Sequence, residues 1–379
     1  MNIDRKPYRK RREVVGEWMR REGVALVVIE DFEEKRDPAL RWLTGHPMDA
    51  LLFLNAAGES LLVPWDIILA SRIADADTIT AFAAFDRDAV TAIKKAAAQL
   101  GVKKGETIEL PSQTAYPAFI RFQEQLEDYT LVCREKGARA VIERGRAVKD
   151  AAEIAVYRQV SAITNDLIGL IETNVRKGTL KTEADTALFI EREARLRDCE
   201  GTGFETLCAG PSRSFGIHCF PSYTSGAFAT NGLSILDFGL VYQGYTSDVT
   251  MTFAREPLSA RQEEMLSLVE QASAIGIAAV RPGARGRDIG QAVNTFFASR
   301  GFAMPHNLGH GVGLEAHEAP SLSAKDENTW ELEPGMIVTV EPGLYENGAG
   351  GCRLENDILV RADGNETLTK SRIIRLRRQ

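Results

Sequence analysis

The sequence predicts an α/β (α+β) chain of two domains, and three observations lead to that prediction. Its 379 residues are enough for two domains, each with its own hydrophobic core. The first 138 residues alternate helical and strand patterns, whereas the rest contains two pairs of helices separated by strand patterns. A charged stretch at 137–150 separates these parts. We therefore expect an N-terminal domain over residues 1–138 and a C-terminal domain over residues 139–379.

The N-terminal domain is predicted from a change of hydrophobic period along the chain. Apolar residues that recur every three to four positions are typical of helices, and short apolar runs are typical of buried strands. The pattern predicts helices at 9–22 and 88–100, and strands at 24–29, 51–54 and 60–63. This alternation favours a compact α/β module.

Helix start and stop signals predict two helix pairs in the C-terminal domain. The first pair covers about 150–177 and 183–197. The second pair covers about 259–281 and 288–300, and its first helix opens with Ser259 in a capping box. Because the same order returns, we expect two related halves.

Asp237 and Asp248 flank a segment that predicts a β-hairpin, since apolar and β-branched residues surround a centre that contains glycine. A turn at Tyr242 and Gln243 would place the two aspartates directly opposite each other. Directly opposed residues have Cβ atoms about 5 Å apart. That spacing suits carboxylates that bind two metal ions roughly 3.5–4 Å apart.

His310, Glu341 and Glu355 complete a set of five candidate metal ligands. His310 lies in the glycine-rich segment 306–318, which favours a tight loop or bulge over a helix. Glu341 follows the apolar run 336–340 and therefore ends a buried strand, and Glu355 directly precedes another predicted strand. All five residues are of types that bind divalent cations.

The charge of this set favours two metal ions over one. Four carboxylates in one pocket carry about −4, and each pair at 4 Å repels by roughly 4 kcal/mol at an effective dielectric of 20. Two divalent cations neutralise that charge. Oxygen-rich ligation with one imidazole suits Mn²⁺, Co²⁺, Fe²⁺ or Zn²⁺ equally, so the identity of the two ions stays open.

Four segments of the C-terminal domain resemble the signatures of the pita-bread metallopeptidases, the family of prolidase (Xaa-Pro dipeptidase), aminopeptidase P and methionine aminopeptidase. The four segments are Asp237–Asp248, His306–Glu318, Val340–Gly343 and Arg353–Glu355. The resemblance covers about residues 140–379 and implies a pita-bread catalytic domain of two pseudo-symmetric halves. The segment Arg41–Gly45 resembles an element of creatinase-like N-terminal domains, which methionine aminopeptidases lack.

The resemblance also implies a role for each candidate ligand. Asp237 would hold one metal ion and His310 the other, while Asp248 and Glu355 would bridge the two. Glu341 would bind the second ion and accept a proton from the bridging water. Coordination can lower the pKa of such a water from about 15.7 to about 7, which makes it a nucleophile at neutral pH.

Four further residues receive catalytic or binding roles from the same resemblance. His218 and His317 would bind substrate by hydrogen bonds to the scissile carbonyl, the developing oxyanion or the leaving nitrogen. Arg353 would steady the bridging carboxylates from behind. His306 would line the substrate pocket.

The implied activity is that of an exopeptidase that cleaves the bond before proline, with Xaa-Pro dipeptides as the first choice of substrate. Aminopeptidase P, which releases the first residue of longer Xaa-Pro peptides, shares every ligand and stays open as an alternative. A non-peptidase hydrolase or lyase on the same fold, as in creatinase, and a silent binding module are further alternatives. Met251 and Asn356 replace residues that are frequent in the family, which leaves substrate preference open.

Composition disfavours several other classes of protein. A net charge of −7 disfavours nonspecific binding to nucleic acid. The five scattered cysteines suit a reducing compartment. The sequence contains no apolar run that predicts a secretory signal or a membrane helix. We therefore expect a cytoplasmic enzyme that acts on small peptides, and the family resemblance implies a homodimer.

Overall fold

The computed structural model describes residues 6–33 and 35–378, and the chain divides into two compact units. The first unit is Met1–Arg146 and the second is Ala147–Gln379. The predicted boundary at residue 138 lies at the start of the helix Ala138–Ala147, and the division of the structure lies near its end. Residues 1–5, 34 and 379, which the predicted domain ranges include, lie outside the described part.

The first unit is built on a six-stranded mixed sheet. Its helices are α1 (Lys6–Glu22), α2 (Pro38–Thr44), α3 (Ile67–Ile73), α4 (Ala89–Gln99), α5 (Tyr116–Gln125) and α6 (Ala138–Ala147). Its strands are β1 (Val24–Asp31), β2 (Ala50–Asn55), β3 (Ser60–Pro64), β4 (Thr78–Ile79), β5 (Thr107–Leu110) and β6 (Thr130–Cys133). The strand order is β4-β3-β2-β1-β5-β6, with β1 antiparallel to β2 and parallel to β5. All five elements predicted for this part of the chain are present.

The second unit contains four long helices and fourteen short strands among its described residues. The helices are α7 (Ala151–Lys177), α8 (Glu183–Arg195), α9 (Ala260–Ala279) and α10 (Gly286–Ala298). The strands are β7 (Gly201–Thr202), β8 (Leu207–Ala209), β9 (Gly232–Phe238), β10 (Leu240–Tyr242), β11 (Tyr245–Thr246), β12 (Val249–Arg255), β13 (His310–Gly311), β14 (Glu318–Ser321), β15 (Ile337–Val340), β16 (Gly343–Glu346), β17 (Gly350–Arg353), β18 (Asn356–Arg361), β19 (Gly364–Thr367) and β20 (Ile373–Leu376).

Local sequence signals explain where these helices begin. Helices α7, α8 and α9 each open with a capping box, in which the N-cap side chain and the side chain three residues later satisfy each other's backbone N–H groups. Gly178 ends α7, as the sequence predicts. Within residues 6–33 and 35–378, no helix has both the length and the apolar character to cross a membrane.

Among its described residues, the second unit has two large hydrophobic cores, each with its own helix pair, and a small third cluster of Leu207, Ala209 and Ile235. Apolar residues of α7 and α8 pack with those of the four-stranded sheet β20-β12-β9-β8. Apolar residues of α9 and α10 pack with those of the five-stranded sheet β14-β13-β15-β18-β19. This arrangement agrees with the two related halves expected from the repeated helix order.

The hairpin after β9 has a different register from the one predicted. The turn lies at Gln243 and Gly244, which have positive φ values of 48° and 88°. Both central residues of a type I′ turn need positive φ, and glycine adopts it without steric cost. Asp237 therefore pairs with Thr250, and the prediction that it directly opposes Asp248 is wrong. Because the register moves by two positions, both aspartates stay on one face of the hairpin.

Replacing Gly244 by Ala should lower the thermal stability of the protein. A Cβ atom in the left-handed region costs roughly 1–2 kcal/mol per residue, and Gly244 has φ 88°. Calorimetric melting of the parent and of Gly244→Ala would measure the effect. Gly169→Ala in α7 is the control, because an added Cβ there meets no atom within 4 Å. Equal melting temperatures for the parent and Gly244→Ala would contradict the assigned turn.

Candidate active site

The second unit contains a cavity of about 410 Å³ that collects residues from distant parts of the sequence. All nine residues singled out by the sequence line its wall. They are His218, Asp237, Asp248, His306, His310, His317, Glu341, Arg353 and Glu355. Three apolar residues, Phe204, Leu207 and Ile217, also line the cavity. The cavity is therefore lined by a cluster of polar side chains and by several apolar side chains.

Three of the five candidate ligands already form a compact group. One side-chain ligand atom each from Asp248, His310 and Glu355 lies within 4.8 Å of the other two. Asp248 directly precedes β12, His310 opens β13, and Glu355 lies between β17 and β18. Two carboxylates and an imidazole at this separation are a donor set that a divalent cation can accept.

Asp237 is held in place by Arg353. Arg353 Nη2 donates a hydrogen bond of 2.5 Å to Asp237 Oδ2. The other carboxylate oxygen, Oδ1, is buried and has no hydrogen-bond partner among the described residues. A buried oxygen without a donor is destabilising unless a cation or water satisfies it. Asp237 therefore offers one free oxygen beside the three-residue group.

Arg353 also reaches Glu355, through the hydroxyl of Thr250. Arg353 Nε donates to Thr250 Oγ1 at 3.0 Å, and Thr250 Oγ1 donates to Glu355 Oε2 at 2.7 Å. No sequence pattern indicates this role for Thr250, because its place opposite Asp237 follows only from the observed hairpin register. Among the described contacts, Arg353 thus orients Asp237 directly and Glu355 indirectly.

Glu341 lies between two imidazoles. Its Oε1 is 3.3 Å from His310 Nε2, and its Oε2 is 3.8 Å from His306 Nδ1. The rings of His310 and His317 are stacked at an angle, with centroids 4.2 Å apart. His218 and His317 are exposed at the cavity wall, where a bound molecule can reach them. The site therefore has two histidines beside Glu341, which are His306 and His310, and two exposed histidines, which are His218 and His317.

Burial controls the protonation of the carboxylates. Burial raises the pKa of Asp237, and it raises the pKa values of Asp248 and Glu355 well above their ordinary range, with neighbouring carboxylates adding to the effect. Burial also raises the pKa of Glu341, but the hydrogen bond and charge of His310 outweigh it, so the net shift is downward. Without metal the surroundings therefore favour the protonated forms of Asp237, Asp248 and Glu355, and bound cations would stabilise the charged forms in place of the protons.

The pKa values of the histidines shift in opposite directions. Burial lowers the pKa of His310, but its contact with Glu341 outweighs burial and raises the pKa overall. Burial lowers the pKa of His306 and of His317, and the charge of His310 lowers that of His317 further. His306 and His317 are therefore neutral at pH 7, and each neutral ring has one N–H donor.

Asp357 is a buried carboxylate that the sequence patterns did not identify. Its Oδ2 accepts a hydrogen bond of 3.2 Å from the backbone N–H of Asp248, and burial raises its pKa to about 7. The signal that could have found it is the strand period of two, because residues two apart in a strand share a face and Glu355 is a candidate ligand. Asp357 therefore supports the chain at Asp248 from behind.

The two unusual residues noted in the sequence do not line the cavity among the described residues. Met251 is fully buried in the core of the first helix pair. The side-chain oxygen of Asn356 accepts hydrogen bonds from the Ser371 N–H at 2.7 Å and from the Thr369 hydroxyl at 3.2 Å. Both residues therefore act on the packing behind the site.

Comparison with known proteins identifies relatives of this chain. A family model described as metallopeptidase family M24 matches residues 155–362. The chain is 34% identical over 232 residues to the uncharacterized peptidase YqhT of Bacillus subtilis strain 168, covering 61% of this chain and 64% of that protein. It is 30% identical over 252 residues to the Xaa-Pro dipeptidase of Pyrococcus horikoshii, covering 66% of this chain and 70% of that protein.

Solved structures share the architecture along nearly the whole chain. The prolidase from Pyrococcus horikoshii OT3 has a TM-score of 0.82 at 23% identity, covering 96% of this chain and 98% of that one. The X-Pro aminopeptidase from Thermotoga maritima MSB8 has a TM-score of 0.83 at 24% identity, covering 96% and 99%. These matches confirm the fold class predicted from the sequence.

In metal-free protein, Glu355→Gln should raise the melting temperature more at pH 8 than at pH 5. The pKa of Glu355 is raised by burial, whereas in the unfolded chain it is about 4.3. The folded chain therefore binds the proton more tightly, and the stability from that binding is lost as pH rises from about 4.3 through the folded pKa. Glutamine does not ionise, so the variant does not lose this stability as the pH rises.

Calorimetry after EDTA treatment and dialysis would measure this difference. Glu346→Gln is the control, because Glu346 is 45% exposed and its replacement should show no comparable pH dependence. A Glu355→Gln variant that is less stable than the parent by the same amount at both pH values would contradict the prediction.

Proposed function

Because this chain belongs to metallopeptidase family M24, we propose that it hydrolyses the peptide bond before proline in short peptides, with Xaa-Pro dipeptides as the first substrate class. The observation that carries the proposal is the convergence of five candidate ligands and three further histidines on one cavity. The choice of proline is supported by relatives named Xaa-Pro dipeptidase and X-Pro aminopeptidase.

We assign two divalent ions to the donor set of Asp237, Asp248, His310, Glu341 and Glu355. Asp248 and Glu355 would be shared by the two ions, Asp237 would hold one, and His310 with Glu341 would hold the other. The free Oδ1 of Asp237 and the raised carboxylate pKa values support this assignment. When bound, Mn²⁺, Co²⁺, Fe²⁺ or Zn²⁺ would lower the pKa of water and supply a nucleophile near neutral pH.

The protein groups around the cavity would complete the reaction. Glu341 would accept the proton that the nucleophilic water loses, and in the protein without metal its pKa already lies below its ordinary value, so its carboxylate is ionised at pH 7. His317 is neutral at pH 7 and can donate its one N–H to the scissile carbonyl oxygen as negative charge develops there. His218, exposed at the same wall, can serve the carbonyl oxygen or the leaving nitrogen. His306 would contact the substrate from beside Glu341.

One observation favours aminopeptidase P as a second candidate function. Arg353 is the one Arg or Lys side chain among the described residues that line the cavity. Its guanidinium already donates to Thr250, Tyr345, Asp237 and the backbone oxygen of Ile217. A dipeptide brings a free carboxylate close to the scissile bond, and this part of the wall offers it no uncommitted guanidinium or ammonium group. In a longer peptide, the C-terminal carboxylate lies further from the scissile bond.

We also propose that the first unit is a creatinase-like domain, that the enzyme is a homodimer, and that it works in the cytoplasm. The segment Arg41–Gly45 and the mixed six-stranded sheet support the first of these. The dimer rests on family resemblance, and the cytoplasmic location rests on the scattered cysteines of the sequence.

Replacing Glu341 by Gln should reduce kcat by at least about 100-fold, because general acid–base groups typically contribute 10²–10⁴ to the rate. The variant keeps the size of the side chain and removes the charge that contacts His310. Steady-state kinetics with Mn²⁺ on Ala-Pro and Ala-Pro-Ala would measure it. Glu346→Gln, at a position whose side chain is 45% exposed, should retain parental kcat. Parental turnover by Glu341→Gln would exclude the assigned role.

Substrate length should separate the two candidate functions. The dipeptidase proposal predicts that kcat/KM for Ala-Pro exceeds kcat/KM for Ala-Pro-Ala, and that EDTA abolishes both activities. Chromatographic detection of released alanine would measure both reactions. Release of alanine from the tripeptide alone would replace the dipeptidase proposal by aminopeptidase P. Full activity in EDTA on either peptide would exclude the metal-dependent mechanism.

A further inference from the structure

Four buried side chains that are not among the described wall residues of the cavity form two short polar contacts. Lys149 Nζ and Glu318 Oε1 form an ion pair of 2.6 Å, and their side chains are 1% and 6% exposed. The Tyr245 hydroxyl donates a hydrogen bond of 2.6 Å to Glu153 Oε1. We call these four residues the α7 bracket, because Lys149 and Glu153 both lie at the N-terminal end of α7.

The start of α7 is itself fixed by hydrogen bonds. The side chain of Asp150 accepts from the backbone N–H groups of Ala152 and Glu153. Glu153 Oε2 accepts from the backbone N–H of Asp150 at 2.8 Å, which leaves Oε1 for Tyr245. Lys149 and Glu153 therefore extend from a rigid helix end, since both ends of the capping box are satisfied.

The other two members of the bracket lie next to site residues. Tyr245 lies in β11, three positions before Asp248, and Glu318 opens β14 directly after His317. Adjacent residues of an extended chain point to opposite sides. Glu318 therefore points to Lys149 while His317 lies at the cavity wall.

A third contact joins the hairpin that contains Tyr245 to the glycine-rich loop that precedes Glu318. The backbone N–H of Thr246 donates to the backbone oxygen of Gly313 at 2.8 Å, so the hairpin touches the glycine-rich loop. A Cβ atom at Gly313 would lie 2.3 Å from Glu318 Oε1. A side chain at position 313 would therefore require the Glu318 carboxylate to shift from its place beside Lys149.

Asp248 and His310 belong to these two separate segments, yet their ligand atoms lie within the same 4.8 Å group. We propose that Lys149 and Tyr245, acting through Glu318 and Glu153, are positioning residues that hold the His310–His317 loop against the hairpin that carries Asp248. The proposal rests on the proposed metal-dependent function. None of the four bracket residues lines the cavity among its described wall residues, so they act through the chain segments that they hold.

A purely structural role for the ion pair is the competing explanation, and a double replacement separates the two. Removing one partner of a buried ion pair leaves an uncompensated charge and strongly destabilises a protein, whereas replacing both partners by apolar side chains of similar volume often preserves stability. Lys149→Met with Glu318→Met should therefore melt near the parental temperature. If the pair positions the ligands, Mn²⁺ affinity and kcat will still fall.

The experiment compares the parent, the double variant, Tyr245→Phe and a control. Arg158→Met is the matched control, because Arg158 lies in the same helix and pairs with Glu366 at the surface, with the two side chains 47% and 27% exposed. Mn²⁺ affinity is measured by titration calorimetry on metal-free protein, which needs no turnover. Melting temperature, kcat and KM on the better of Ala-Pro and Ala-Pro-Ala are measured beside it.

We expect the double variant to lose Mn²⁺ affinity and kcat by about 10–100-fold, the range found when partners of metal ligands are removed. KM should change less than kcat, and Arg158→Met should match the parent in all readouts. Tyr245→Phe removes one hydroxyl group and keeps the ring, so it tests the second contact even if the double variant does not fold. It should weaken Mn²⁺ binding in the same direction.

Parental Mn²⁺ affinity and kcat in Tyr245→Phe, or in a folded double variant, would overturn the positioning role and leave the proposed function intact. A parent that binds no Mn²⁺ would overturn both. A double variant that folds, binds Mn²⁺ at least tenfold more weakly and keeps its KM supports the positioning role.

Discussion

The burial of several carboxylates at one place is the constraint on which the rest of this site depends. Asp237, Asp248 and Glu355 all have raised pKa values, because burial disfavours their charged forms. A protein can tolerate such a cluster only if protons, nearby cations or bound metal ions reduce its charge. The need to reduce the charge of the carboxylates explains which residues surround them.

The protein supplies part of the compensation itself. Arg353 is buried with four hydrogen bonds from its side chain, and one of them fixes Asp237 while leaving Oδ1 free. In the protein without metal, the contact with His310 lowers the pKa of Glu341, which separates Glu341 from the other carboxylates in chemical behaviour. This difference provides one proton acceptor within a group of metal-binding oxygens. The remaining charge is what the two proposed ions would neutralise.

Local signals in the sequence predict much of this molecule. The start of α7, its end at Gly178 and the start of α9 were predicted correctly, because a helix end is determined by residues close in sequence. Helix α9 ends at Ala279, two positions before the predicted end. All nine proposed site residues line one cavity. The predicted register of the hairpin was wrong because Gly244 determines where the turn lies. The strand pattern alone does not show the position of that turn.

The residues that sequence reasoning missed act over long separations. Thr250 contacts Arg353 from 103 positions away, and Lys149 contacts Glu318 from 169 positions away. Neither threonine nor lysine lies in a motif that indicates such a contact, because the partner is brought near only by tertiary packing. Single-sequence patterns report helix and strand periods, and a buried cross-chain contact has no period. The supporting residues of the site therefore become visible only in the structure.

Anomalous diffraction at the manganese edge from crystals grown with Mn²⁺ tests the central claim most directly. We expect two peaks, each contacted by oxygen or nitrogen atoms of Asp237, Asp248, His310, Glu341 and Glu355, with Asp248 and Glu355 contacting both. A single peak, or none within this cluster in crystals of active protein, would contradict the account.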